Sequence, residues 1–159
     1  MKNTLTIIVG LPRCGKSTWI EKNKGDAVVV SNDWIRENIL GTHYSSNANA
    51  LIWSITDATL RIVLGQGKDA ILDGINHTAD VRRFFIDLAR QYKSKVKMVC
   101  IMTPVGICLA RNSKAETNKL PQDKLIAINN KIEWPDGRGN LYDEVVYVDN
   151  CWSELELNK

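Results

Sequence analysis

The sequence predicts an α/β protein built on a five-stranded parallel sheet flanked by helices, with a small lid at one end. Three observations carry this. Short β-branched runs alternate with helical patterns along the 159 residues. The runs around Val28-Val29-Val30 and over residues 96–102 are largely apolar without strict alternation, as strands covered on both faces are. Finally, Gly10-Leu11-Pro12-Arg13-Cys14-Gly15-Lys16-Ser17 spells G-x-x-x-x-G-K-S between the first apolar run and a helix-compatible stretch.

The elements follow in order. Leu5-Thr6-Ile7-Ile8-Val9 is the first strand, and a helix begins near Lys16 after the glycine-bearing octapeptide. Residues 27–30 form the second strand, and Ser31-Asn32-Asp33-Trp34-Ile35-Arg36 leads from it into a helix. Leu51, Ile55, Ala58 and Ile62 recur at helical spacing, which predicts an amphipathic helix over residues 48–64, ending at Gly65, with those four as its apolar stripe. The third strand covers residues 70–72. A helix over residues 79–92 carries Phe84, Phe85, Leu88 and Ala89 as a core stripe and Arg82, Arg83 and Arg90 on a charged exterior. Residues 96–102 form the fourth strand, and Pro104 begins a helix to about Arg111. A polar stretch over residues 112–119 follows, giving a lid at about 112–120, and Pro121 opens a helix to about Ile132. Residues 134–140, with Pro135, Gly137 and Gly139, read as a loop before the fifth strand at 144–148. No internal repeat or low-complexity segment interrupts this order, so residues 1–159 read as one domain.

With 44% apolar residues the chain can bury about two-thirds of its unfolded surface. A net charge of +3 with acids and bases interspersed argues against a nucleic-acid-coating tail or a polybasic membrane anchor, while leaving room for a local basic groove. Met1-Lys2-Asn3-Thr4 leads straight into the first strand, and no apolar run approaches the length of a membrane span. A cytoplasmic location without a membrane partner is therefore expected. Cys14, Cys100, Cys108 and Cys151 lack the paired spacing of a zinc site and are expected to be free thiols. Cys14 is either a small spacer or an oxidation-sensitive position. His43 and His77 are expected to be polar loop residues.

The octapeptide is a phosphate-binding loop. Successive backbone N–H groups can converge on a triphosphate only where the chain turns tightly, which Gly10 and Gly15 allow. Lys16 reaches the β/γ-phosphates, the Ser17 hydroxyl is placed for Mg²⁺, and the positive end of the following helix adds attraction for anions. ATP or GTP is the expected ligand. Asp33 lies just past the carboxyl end of the second strand, where ligands bind in open parallel sheets, with Arg36 one helical turn on. Two readings stand: Asp33 accepts the proton of an incoming hydroxyl while Arg36 holds the acceptor's phosphate, or Asp33 caps a helix and pairs with Arg36. Asp73-Gly74-Ile75-Asn76 ends the third strand either as two polar groups facing the same cleft or as an Asx-type turn. Arg111, Lys114 and Lys119 bracket the polar stretch. Lys119 reads as a solvated charge, whereas Arg111 follows a helix that can aim it at the triphosphate.

Taken together, Gly-x-Pro-x-x-Gly-Lys-Ser-Thr-Trp at residues 10–19, Asn32-Asp33-x-x-Arg36, Asp73 and Asn76 with Arg82, and Arg111-Asn112-Ser113-Lys114 followed by Thr117 and Pro121 resemble the kinase domain of phage-type polynucleotide 5′-kinases. Those enzymes lie within the P-loop kinases and AAA-type ATP-binding proteins. The similarity runs in the correct order over residues 5–128. The phosphate loop is generic, but the Asp-x-x-Arg and Arg-Asn-Ser-Lys elements together are considerably more specific. The resemblance implies a P-loop kinase fold, ATP with Mg²⁺, and DNA or RNA 5′ ends as partners in the cytoplasm of a bacterium or phage host. It implies that residues 10–18, through Thr18, together with Arg111 hold the donor, that Asp33 is the general base, and that Arg36 takes the acceptor's phosphate. Asp73, Asn76 and Arg82 complete the substrate side.

Two departures matter. The family's second lid arginine corresponds to Ala115, and keeping Asn76 and Arg82 in register puts its carboxylate on Gly74, with Asp73 one position early. Small-molecule P-loop kinases and zeta-toxin-like proteins resemble the chain better at that acidic position. No fused phosphatase domain is expected. The competing expectations are a kinase of a small alcohol, such as a nucleoside or nucleotide sugar, and an ATP-binding module impaired in catalysis through Ala115.

Overall fold

Five strands, β1 (Thr4–Val9), β2 (Val28–Ser31), β3 (Ala70–Asp73), β4 (Lys95–Met102) and β5 (Glu144–Asp149), pair in parallel in the order β2-β3-β1-β4-β5. The computed structural model describes residues 2–41, 48–137 and 141–149. Each strand lies within one residue of its expected ends. The helices are α1 (Lys16–Asn23), α2 (Asn32–Asn38), α3 (Asn49–Gly65), α4 (Ala79–Gln91), α5 (Val105–Lys114) and α6 (Gln122–Lys131). His43, Cys151 and residues 138–140 of the expected loop lie outside the described residues.

The central strands lack polar alternation because both faces are covered. Leu5 and Ile7 of β1 pack with Ile52, Leu60, Phe85, Leu88 and Met98 under α3 and α4. Ile8 points the other way, into a second core with Ile20, Val99, Cys108 and Leu125 under α1, α5 and α6. The strand order reverses around β1, which pairs with β3 on one side and β4 on the other. That switch point leaves a crevice at the strands' carboxyl ends, and the phosphate loop emerges there.

Three expectations about helix faces and ends are corrected. On α3 the buried residues are Ile52, Thr56, Leu60, Val63 and Leu64, whereas Leu51, Ala58 and Ile62 are exposed, Ile62 at 62%. Ile55 of the expected stripe is partly buried against the core. The helix is apolar on several faces, so two stripes satisfy the same spacing, and packing selects the one rotated by one residue. It runs through Gly65 and is closed at Gly67 (φ 71°), where Lys68 N donates to Val63 O and Gly67 N to Leu64 O. On α4, Arg82 is buried rather than exterior, and Phe84 is partly exposed, its ring edge-on to Phe85 and Trp53.

Finally, α5 continues three residues past Arg111, because Asn112 is buried at its end and clamps one peptide of the returning chain. Its Nδ2 donates to Leu120 O at 2.8 Å and its Oδ1 accepts from Leu120 N at 3.1 Å. The irregular part of the expected lid is therefore residues 115–120. Pro104 and Pro121 stand at the N-cap positions, one residue before each helix. No helix among the described residues is long and apolar enough to cross a membrane.

Candidate functional site

The phosphate loop is shaped by close approach. A Cβ on Gly10 would lie 2.6 Å from Cys14 Sγ and 3.3 Å from Ile101 O, so only glycine lets the loop fold onto itself. Gly15 precedes α1 in a left-handed conformation (φ 101°). The loop is anchored from two sides: Gly10 N donates to Ile75 O at 3.3 Å, and the buried Thr103 donates Oγ1 to Cys14 O at 2.8 Å. Thr103 escapes sequence reading, although a polar residue directly after a long apolar strand is its signal. Leu11 and Cys14 turn into the α1/α5/α6 core, which makes Cys14 a spacer. Burial raises its thiol pKa against the opposing charge of Lys16, and burial likewise pushes Cys100 and Cys108 up to about 11.

Lys16 lays its ammonium along the loop, donating to Leu11 O at 2.8 Å and Gly10 O at 3.3 Å. Pro12 and Arg13 complete the turn, and Ser17 and Thr18 are exposed in the first turn of α1. That turn carries no acidic residue, so nothing of its own offsets the positive helix end.

Beside the loop, at the carboxyl ends of the strands, β2 and β3 pair with Ser31 opposite Asp73. This register brings together groups far apart in sequence. Burial pushes the Asp73 carboxyl above the ordinary carboxylate value, Lys16 and hydrogen bonding from Ser31 pull it back, and the Asp33 charge adds to the rise. Asp73, Asp33, Ser31 and Lys16 therefore form one electrostatic group at the crevice. Ser31, not Asp33, caps α2, accepting from Trp34 N at 3.3 Å. Asp33 sits exposed in the first turn, and Arg36 approaches Asn49 Oδ1 with both terminal nitrogens at 3.5 Å. Trp34, beside Asp33, is 58% exposed.

Asn76 and Arg82 are brought to each other instead. Asn76, buried and left-handed (φ 47°), donates Nδ2 to Ile8 O at 2.8 Å, and its carbonyl accepts from Arg82 Nη1 at 2.9 Å. Arg82 is 5% exposed, and burial lowers its guanidinium below the usual arginine range. It opens onto a cleft of about 330 Å³ beside α4, lined also by Arg83, Glu133, Trp134 and Tyr142. Together the two brace the end of β1 from which the loop starts. A Cβ on Gly74 would come within 3.1 Å of Asn32 Nδ2, so a side chain at that position crowds the start of α2. His77 is a half-buried loop residue whose imidazole pKa is lowered by burial and by the neighbouring Arg82 and Lys131 charges.

The lid lies against the loop. Arg111 Nη1 donates to Arg13 O at 3.0 Å, and Arg13 Nη2 donates to Thr117 O at 2.8 Å and Asn118 O at 3.0 Å. Asn118 Nδ2 in turn donates to Glu37 Oε1 of α2. Lys114 and Lys119 are exposed, and Ala115 ends α5.

The AAA_33 family model, described as an AAA domain, matches residues 5–133. The chain belongs to this family. The AAA-domain chain shares its fold with several solved structures. One is in the Pnkp1/Rnl/Hen1 RNA repair complex, with TM-score 0.76 and 19% identity over 89% of this chain, which spans only 47% of that one. Another is the Mycobacterium tuberculosis APS kinase CysC with AMPPNP and APS, with TM-score 0.66 and 17% identity, covering 99% of this chain and 95% of that one. A third is Chaetomium thermophilum Kti12 with ADP-AlF3, with TM-score 0.70 and 16% identity, covering 94% and 89%. At these identities the likeness concerns the fold: this AAA-domain chain has the α/β fold of P-loop kinases.

Proposed function

We propose that this protein is an ATP-dependent kinase that transfers the γ-phosphate to the 5′-hydroxyl of a DNA or RNA end. The observation that carries the reading is Asp73, which stands opposite Ser31 at the end of β3 and feels the charges of both Lys16 and Asp33. A phosphoryl transfer needs a carboxylate at the attacking hydroxyl and cations on the phosphates, and this reading gives those roles to Asp33 and Lys16.

Lys16 turns from the loop carbonyls to the β/γ-phosphates, with the loop amides around them. Asp33 takes the proton of the acceptor hydroxyl as its oxygen bonds to the γ-phosphorus and the bond to the β–γ bridging oxygen breaks. Arg36 holds a phosphate of the acceptor strand, and Arg111 approaches the transferring group from the lid. Asn76 and Arg82 serve the site by bracing it. The donor set would suit Mg²⁺: the Ser17 hydroxyl is a hard oxygen that would hold it, the Asp73 carboxylate would act on it through its water shell, and Mg²⁺ takes only one or two protein oxygens beside phosphates. When bound it neutralises charge on the β- and γ-phosphates.

Exposed Trp34 next to Asp33 favours a nucleic acid as acceptor, because an aromatic face gives a terminal base a sequence-tolerant stacking surface. A kinase of a small alcohol is the second reading, favoured by the position of Asp73 rather than Gly74 as the acid. Transfer of labelled phosphate from ATP to a panel of 5′-hydroxyl oligonucleotides and small alcohols tests both. Transfer to oligonucleotides that weakens with salt supports the first. Salt-independent transfer to a free metabolite replaces it with the second.

A further inference from the structure

Arg13 holds a left-handed backbone (φ 67°) in the middle of the phosphate loop, a conformation that glycine adopts freely and a long side chain rarely does. A strained position that persists in a site points to work done by its side chain. Here the side chain crosses to the lid, where Nη2 bridges the carbonyls of Thr117 and Asn118 at 2.8 and 3.0 Å. Its own carbonyl accepts from Arg111 at 3.0 Å, so loop and lid are stitched in both directions. Asn118 is also left-handed (φ 54°), and its amide reaches Glu37 on the helix that carries Asp33 and Arg36. One hydrogen-bonded strap thus runs from the donor loop through the lid to the acceptor helix. The lid has Ala115 where the resembling enzymes have a second arginine.

We propose that Arg13 is a positioning residue that fastens the lid onto the phosphate loop and, through Asn118 and Glu37, ties lid closure to the acceptor helix. The role rests on the kinase reading, in which a closed lid keeps water from the γ-phosphate. Donor affinity comes from the loop amides and Lys16, so the Arg13 side chain governs transfer rather than ATP binding.

The test uses Arg13→Gly and Arg13→Asn, both of which tolerate the left-handed backbone, so that loss of the side chain is separated from damage to the loop. Lys114 and Lys119 flank the lid and are exposed, which makes trypsin a direct probe of its closure. In both variants, cleavage after Lys114 and Lys119 should speed up by about 10-fold as local opening becomes easier. ATP affinity should stay within a few-fold, transfer kcat should fall, and hydrolysis of ATP to water should rise relative to transfer. Arg13→Lys, a single-point donor that cannot match the planar guanidinium, should fall between. Unchanged lid cleavage in Arg13→Gly and Arg13→Asn overturns the proposal, as does collapse of ATP binding, which would make the side chain a nucleotide ligand. If the wild-type chain transfers phosphate to no acceptor while the variants still lose lid protection, the fastening stands and the kinase reading falls.

Discussion

Ser31 and Asp73 stand opposite each other in the parallel pairing of β2 and β3, and Ser31 serves both sides of the crevice. It caps α2 through Trp34 N while its hydrogen bonding steadies the ionised form of Asp73. Even so, burial and the Asp33 charge keep the Asp73 pKa above the ordinary carboxylate value. An acid whose pKa is raised by folding destabilises the fold when ionised, at pH above that raised value. The cost fades as pH falls through it towards the unfolded value of about 3.9. Asp73→Asn should therefore melt higher than wild type at pH 7, and the gap should close on acidification. Turnover should fall by about 10- to 100-fold, the range for groups acting through a metal's outer sphere. Thermal melts from pH 7 to pH 4 check the sign: a variant less stable than wild type at pH 7 would make the carboxylate a structural ligand.

In the proposed reaction Lys16 and Asp33 belong to different halves and should separate cleanly. Lys16→Ala should abolish transfer. Asp33→Asn should leave ATP affinity within a few-fold while lowering turnover by about 10²–10⁴, the usual range for a positioned base. Titration with an ATP analogue alongside single-turnover transfer reads both. Loss of ATP binding in Asp33→Asn would move that residue to the metal or to the scaffold.

Much of this arrangement is legible in the chain because it follows from local patterns. The octapeptide, the five strands and the place of Asp33 at a strand end depend on spacing and turn chemistry within a few residues. What escapes the sequence depends on partners far along the chain. Arg82 reads as a surface charge until Asn76 O is found beside it, and the stripe on α3 cannot be chosen until the core it meets is known. Thr103 matters only because Cys14 O, 89 residues away, needs a donor. Arg13 looks like a loop filler until the lid carbonyls arrive over it.

Thr103→Val keeps the shape of the side chain and removes the donor to Cys14 O. Losing a hydrogen-bond donor to a buried carbonyl costs about 1–3 kcal/mol. The loop should respond with roughly 5- to 150-fold weaker ATP binding, the same free energy expressed in affinity, while the sheet stays intact by circular dichroism. ATP affinity at the wild-type level would show that the loop holds its shape without this anchor.

Arg36 and Trp34 test the acceptor class. Arg36→Ala should lower kcat/KM for oligonucleotides, spare ATP affinity and reduce the salt slope by about one unit. Trp34→Ala should cost about 1–3 kcal/mol in oligonucleotide binding, the range for one stacked base, with no effect on the salt slope. If neither substitution changes the acceptor profile, Arg36 is a helix-pairing residue and the acceptor lies elsewhere.

Arg111 leaves the last turn of α5 and meets the phosphate loop at Arg13 O, so it is a lid-side cation already in contact with the loop. Phosphoryl-transfer arginines contribute 10³–10⁵ in turnover, and one that also holds the loop should reach at least about 10². Arg111→Ala is therefore expected to lower kcat by that factor with a smaller change in ATP affinity. Ala115 sits at the end of the same helix, and Ala115→Arg adds a second cation without removing any contact it makes, so activity should be kept or raised. Steady-state rates of the two variants decide between a working lid and an impaired one. Should Arg111→Ala leave turnover untouched while Ala115→Arg creates activity in an otherwise inert protein, nucleotide binding without transfer is the native behaviour.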